Sequence, residues 1–121
     1  MKKILIVEDS ANFQHIWHDR LVREGFEIRQ AETGKAALAM LATEKPDLVI
    51  MDMTMPEMDG DEAFREMQKD EEMKKIPVLF MSMLEDTDRI RKVMELGAKG
   101  YLIKTITSPN TLVDEVRKIL G

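Results

Sequence analysis

The feature that most narrows the fold is a rhythm. A short β-branched-rich apolar run is followed by apolar residues at helical spacing, and this happens five times in 121 residues. Ile4-Leu5-Ile6-Val7 is apolar at every position, the pattern of a strand covered on both faces. Ser10 can cap a following helix in which Phe13, Ile16, Trp17 and Leu21 recur at helical spacing, and Gly25 suits a left-handed helix end. Phe26 to Arg29 reads as the next strand, Thr33 as the cap of a helix through Leu41, and Leu48-Val49-Ile50-Met51 as a strand after the breaker Pro46. Asp59 and Glu62 have capping-box spacing before a helix through Met67, and Val78-Leu79-Phe80-Met81 follows Pro77 as a fourth strand. Ile90, Val93, Met94 and Gly97 fall on one face of a fourth helix. Tyr101-Leu102-Ile103 reads as a fifth strand, and Ser108-Pro109 opens a last helix carrying Leu112, Val116 and Ile119. Five βα units with short connections imply a parallel α/β sheet with helices on both faces and right-handed crossovers.

Composition bounds what such a chain does. Hydrophobic residues are 44% and charged residues 34% of the sequence, enough apolar material for one folded core of ordinary domain size, and residues 1–121 are expected to form one domain. A net charge of -5 without a basic stripe argues against binding nucleic acid or an anionic membrane surface. No apolar run is long enough to span a bilayer, and the segment after Met1 is too short for a signal peptide, so a cytoplasmic location is expected. The absence of Cys removes disulfides, thiolate catalysis and Cys-based zinc sites.

Open parallel sheets place their sites at the carboxyl ends of the strands. There this sequence has Glu8 and Asp9, Asp52, Ser82 and Lys104, after strands one, three, four and five respectively. Carboxylates gathered at one rim need compensation by a cation, by lysine or by protonation. Oxygen ligands with no nearby His or Cys suit a hard ion such as Mg2+. A carboxylate beside such an ion can attack phosphorus, with Lys104 and the Ser82 hydroxyl holding phosphoryl oxygens, and Asp52 is the best-placed nucleophile.

Ile4 to Asp9, Met51 to Gly60 (MDMTMPEMDG), Pro77 to Ser82 and Gly100 to Lys104 together resemble, in order, the motifs of response-regulator receiver domains of two-component signalling. The resemblance covers essentially the whole chain. It implies the flavodoxin-like (βα)5 doubly wound fold, a five-stranded parallel sheet of order 2-1-3-4-5. It also implies a phosphoacceptor at Asp52, and Mg2+ held by Asp9, Asp52 and the Thr54 backbone carbonyl, with Glu8 acting through a metal-bound water. Lys104 and Ser82 would contact the phosphoryl group, Ser82 and Tyr101 would form the switch pair, and helix four, strand five and helix five would form the output surface. The implied donor is a phosphohistidine on a sensor histidine kinase or phosphotransfer protein, small acyl phosphates can substitute, and the downstream partner is a protein that the sequence does not name. The implied role is that of a switch with weak autophosphatase activity, not an enzyme in the ordinary sense.

Two departures from the family pattern stand out. Thr105 follows Lys104 where the family has a proline joined by a cis peptide; a non-proline cis bond costs about 3 kcal/mol, so either the bond is trans with Lys104 seated differently or the site carries strain. Met83 stands where the family has Ala or Gly, and its bulk could restrict access to Asp52. A pseudo-receiver that binds proteins without phosphate is therefore the main alternative. An aspartyl phosphohydrolase would want a second Asp two residues after Asp52, where Thr54 stands, and a flavin module would be repelled by Glu8 and Asp9. His15 and His18 lack a second ligand pair and read as solvated, Trp17 reads as core, and the 11 Met residues read as core filler rather than copper ligands.

Overall fold

The computed structural model describes the backbone of residues 1–121 and all side chains except those of residues 12–14; the predicted core position of Phe13 lies outside the described residues. Five strands, β1 (Lys3–Val7), β2 (Glu27–Ala31), β3 (Leu48–Met51), β4 (Val78–Ser82) and β5 (Gly100–Ile103), form one sheet in the order β2-β1-β3-β4-β5. Every neighbouring pair is parallel. The helices are α1 (Ala11–Arg23), α2 (Gly34–Glu44), α3 (Gly60–Gln68), α4 (Thr87–Glu95) and α5 (Pro109–Leu120). The fold is the expected flavodoxin-like arrangement of order 2-1-3-4-5.

The apolar runs explain the layering. Successive side chains of a strand point to opposite faces, so β1 sends Ile4 and Ile6 one way and Leu5 and Val7 the other. The first pair joins Ile50, Leu79, Met81, Trp17, Leu21, Leu112 and Val116, a core beneath α1 and α5. The second pair joins Val49, Met51, Phe80, Leu41, Phe64, Met67 and Val93, a core beneath α2, α3 and α4. Burying each Leu, Ile, Val or Met contributes about 1.5–3 kcal/mol, so these two layers supply most of the drive to fold. Met51, Met53, Met55, Met67 and Met81 are buried and Met40, Met58 and Met73 pack partly buried against the core, as expected of methionines that fill core gaps, whereas Met1, Met83 and Met94 are exposed and do not.

Several boundaries differ from the sequence reading. β2 begins at Glu27 and runs to Ala31, because the Phe26 N–H bonds back to Leu21 O and closes the α1 turn, while the backbone beyond Arg29 still pairs with Ile6 and Val7. Ser10 and Asp59 occupy cap positions, yet neither side chain caps its helix; Asp59 instead bonds the Met55 N–H and Arg89. Thr33 and Ser108 do cap, accepting from the Ala36 and Thr111 N–H groups, and α2 continues past Leu41 to end at left-handed Lys45. Gly97 lies beyond α4 at φ +112 rather than on its face, Met94 is exposed, and only Val93 of α4 is buried. Ile16 is also exposed, so the buried stripe of α1 runs through Trp17 and Leu21. Among the described residues no helix is long and apolar enough to cross a membrane.

Candidate phosphoacceptor site

Asp52 is the first residue past β3, and its N–H bonds to Val7 O at 3.0 Å, which extends the β1–β3 ladder by one step and points the chain out of the sheet. The loop then turns sharply back: the Gly60 N–H reaches Met53 O at 2.8 Å, and a Cβ on Gly60 would stand 2.0 Å from Asp52 O. Only glycine fits that approach. The Asp52 side chain is buried and fully engaged. Its Oδ1 accepts from the Ser82 hydroxyl at 2.6 Å and from the Thr54 N–H at 3.1 Å, and its Oδ2 accepts from Lys104 Nζ at 2.7 Å.

Lys104 also donates to Glu8, so one buried ammonium lies between two buried carboxylates that directly follow β1 and β3. The Ser10 N–H donates to the other Glu8 oxygen at 2.9 Å. Burial nevertheless pushes the Glu8 carboxyl up to about 7 and the nearby Asp52 charge adds to the rise, although Lys104 and the Ser10 N–H pull the other way. Asp9 is exposed beside them, and single oxygens of Glu8, Asp9 and Asp52 lie within 4.8 Å of one another. That is an all-oxygen acidic donor set open on one side, which fits a hard divalent cation that keeps several waters. Thr54 is exposed on the loop whose carbonyl was expected to join that set.

The Lys104–Thr105 peptide is trans, which settles the choice the sequence left open, and the chain passes from β5 directly into a short 3-10 turn at Lys104–Ile106. Lys104 reaches Asp52 all the same. Met83 is exposed immediately after buried Ser82. Tyr101, half-buried on β5 and stacked on Phe80 at 6.2 Å, donates its hydroxyl to Leu84 O at 2.7 Å. Burial raises its phenol above the ordinary value. The Leu84 N–H in turn donates to the Ser82 hydroxyl at 3.2 Å, so the two backbone groups of one residue join the two residues expected to switch together. His15 and His18 lie apart from this site on α1, each against Asp19.

The sequence reading missed a group beside the site. Arg89, at the start of α4, grips Asp61 with two hydrogen bonds of 3.0 and 2.9 Å and reaches Asp59 at 3.3 Å. Burial works against the charge on Asp61, but the hydrogen bonds and charge of Arg89, helped by Arg65, outweigh it and hold the carboxyl below its usual range. Asp61 shows a local signal, an acidic residue in the first turn of a helix, but its partner is 28 residues away.

Comparison with known proteins agrees with this geometry. Residues 4–117 match the family described as "Response regulator receiver domain". The chain is 34% identical over 122 residues to "Protein PilH" of Pseudomonas aeruginosa, covering 100% of this chain and 99% of that one. It spans about half the length (48%) of transcriptional-regulator relatives that it matches at 34% and 37% identity. Among solved structures, chemotaxis response regulator CheY4 of Vibrio cholerae superposes with a TM-score of 0.90 at 28% identity, covering 99% of each chain. The Mn(2+)-bound form of response regulator Rcp1 does so with a TM-score of 0.81 at 28% identity, covering 100% of this chain and 91% of that one. The chain belongs to the response-regulator receiver domain family of two-component signalling, whose general role is phosphorylation-dependent switching.

Proposed function

We propose that residues 1–121 act as a single receiver domain that accepts a phosphoryl group on Asp52 from a phosphohistidine of a sensor kinase or phosphotransfer protein. The observation that supports this most is the convergence of the Ser82 hydroxyl, the Thr54 N–H and the Lys104 ammonium on the two oxygens of one buried carboxylate. In the transfer an Asp52 oxygen forms the new O–P bond while the P–N bond to the donor imidazole breaks. Lys104 balances Asp52 before transfer and then holds a phosphoryl oxygen, and Ser82 gives its hydrogen to another. Asp9, Asp52 and the Thr54 carbonyl would hold Mg2+, with Glu8 acting through a water, and the ion would supply positive charge against the phosphoryl oxygens. Glu8, Asp9 and Asp52 are the donor set that suits it, and the Mn(2+)-bound neighbour has the same fold.

Afterwards the new dianion favours a conformation in which the Ser82 hydroxyl, which lies 2.6 Å from the Asp52 carboxylate before transfer, donates to a phosphoryl oxygen instead, Leu84 and Tyr101 follow, and the surface of α4, β5 and α5 presents a changed face to a downstream protein. Slow attack of water on the acyl phosphate returns the free carboxylate, so any catalysis is confined to a weak autophosphatase activity. The acidic net charge of -5 fits a protein partner better than nucleic acid or a membrane, in a cytoplasmic setting. Intact mass after incubation with magnesium and a small acyl phosphate tests the reading. One added phosphoryl group is expected in the wild type and none in Asp52→Asn. No adduct in either, with a phosphohistidine donor also tried, would favour a phosphate-independent binding module.

A further inference from the structure

The segment between Ser82 and α4 is held at three points. Ser82 is tied to Asp52, Leu84 is tied to both Ser82 and Tyr101, and Arg89 is tied to the start of α3. The first two belong to the switch already described. The third does not: Arg89 touches neither the carboxylate trio nor Lys104 among the described contacts, yet its guanidinium fork spans both oxygens of Asp61. Asp61 is 8% exposed and the Arg89 side chain 29%, so this is a partly desolvated, two-pronged ion pair rather than a surface pair free to dissolve. Asp86 caps α4 by accepting from the Asp88 and Arg89 N–H groups, so the backbone at Arg89 is fixed within the first turn and the side chain carries force from that turn. On the far side, Asp61 sits on the helix that follows the loop bearing Asp52 and Thr54, and Gly60 packs against Asp52 itself.

The geometry points to Arg89 and Asp61 as a latch that holds α4 in the unphosphorylated position, so that the strength of this pair sets how readily the domain switches. This rests on the reading of Asp52 as phosphoacceptor. For Ser82 to shift from the Asp52 carboxylate, to which its hydroxyl donates at 2.6 Å, onto an oxygen of a phosphoryl group bound there, residues 83–88 must move with it, and their far end is pinned through Arg89 to α3. Weakening the pin raises the fraction of molecules in the competent arrangement and with it the rate of acceptance from a small donor. Asp61 and Arg89 are positioning residues here, because neither touches the reacting oxygens.

The test compares wild type, Arg89→Gln, Asp61→Asn, the double variant and Arg89→Lys, which keeps the charge without the fork. Two readouts are taken: amide hydrogen exchange across residues 83–90 and the rate of acyl-phosphate labelling by intact mass. Each single variant is expected to speed exchange in 83–90 by about tenfold beyond any change in the most protected core amides, a sign of local rather than global opening. Labelling should rise about threefold or more, as expected when the competent fraction grows. The double variant should match the singles, and Arg89→Lys should fall between. Exchange that changes only in step with the core, or effects of the two singles that add in the double, would overturn the latch. If the wild type itself takes no phosphoryl group, the acceptance reading fails and hydrogen exchange alone decides the latch.

Discussion

The Ser82 hydroxyl donates to Asp52 Oδ1 at 2.6 Å while itself accepting from the Leu84 N–H at 3.2 Å, so one oxygen joins the Asp52 carboxylate to the start of the β4–α4 segment. Replacing Ser82 with Ala removes both links at once in a buried setting. We expect a stability loss of about 1–3 kcal/mol in urea melts, the usual penalty for leaving buried polar groups unpaired. Asp52 should still accept a phosphoryl group, but the change in the Tyr101 ring signals on labelling should disappear, whereas Ser82→Thr should retain it. An unaltered Tyr101 response in Ser82→Ala would detach the two residues.

Lys104 lies between Glu8 and Asp52, and Lys104→Met would leave two buried carboxylates facing each other without a cation. Removing one member of a buried ion pair typically loses about 3–5 kcal/mol, and that loss is expected at neutral pH in the absence of divalent ions. The pH dependence has a definite sign. Glu8 is raised from 4.5 to about 7 chiefly by burial, so folding favours its neutral form. Without the lysine that preference strengthens, and the variant should gain stability relative to wild type as pH falls from above about 7 toward 4.5. Denaturant midpoints over that range measure it, and a difference independent of pH would contradict the assignment.

Asp61 behaves in the opposite sense. Its folded carboxyl is held below the ordinary 3.8, so the stability it contributes is complete above that value and is lost as pH falls through the lower folded value. Asp61→Asn should therefore be less stable than wild type by about 1–2 kcal/mol at neutral pH, as for a hydrogen bond to a charged group that is partly exposed. The two proteins should converge only as pH falls through that lower folded value, beneath 3.8. A gap that persists there would mean that packing, not charge, is what Asp61 supplies.

Gly60→Ala should damage the site from behind. The added Cβ would sit 2.0 Å from Asp52 O, a backbone atom that cannot swing away. Overpacking of this kind costs about 1–3 kcal/mol and is expected here at the upper end. Thermal melting gives the loss, and slower acyl-phosphate labelling would report the displaced Asp52.

What could be read in the sequence follows the range of the forces involved. β1, β3 and β4 were legible because strands covered on both faces are apolar at every position, and the Thr33 and Ser108 caps were legible because each bond spans three residues. β2 was misplaced at both ends because it is an edge strand whose limits are set by pairing with β1, not by its own composition. Ser10 and Asp59 carry cap chemistry, but Asp59 is claimed by Arg89 and the Met55 N–H, and the Ser10 backbone is turned toward Glu8. That Glu8, Asp9, Asp52, Ser82 and Lys104 come together could be read from the sequence because strand ends in this topology must converge, a rule that needs only strand order. Arg89 stayed hidden since nothing near Asp61 in sequence announces a partner 28 residues on.

The acidic rim draws on three distant parts of the chain: Glu8 follows β1, Asp52 follows β3, and the lysine between them arrives only after β5. A chain growing from its N-terminus therefore holds both carboxylates for some time before the residue that balances them exists. Until β5 docks beside β4, the sheet can pair but its carboxyl end carries uncompensated negative charge. Docking of the last strand and completion of the carboxylate–lysine cluster thus become one event, and a partly folded domain does not present the assembled cluster.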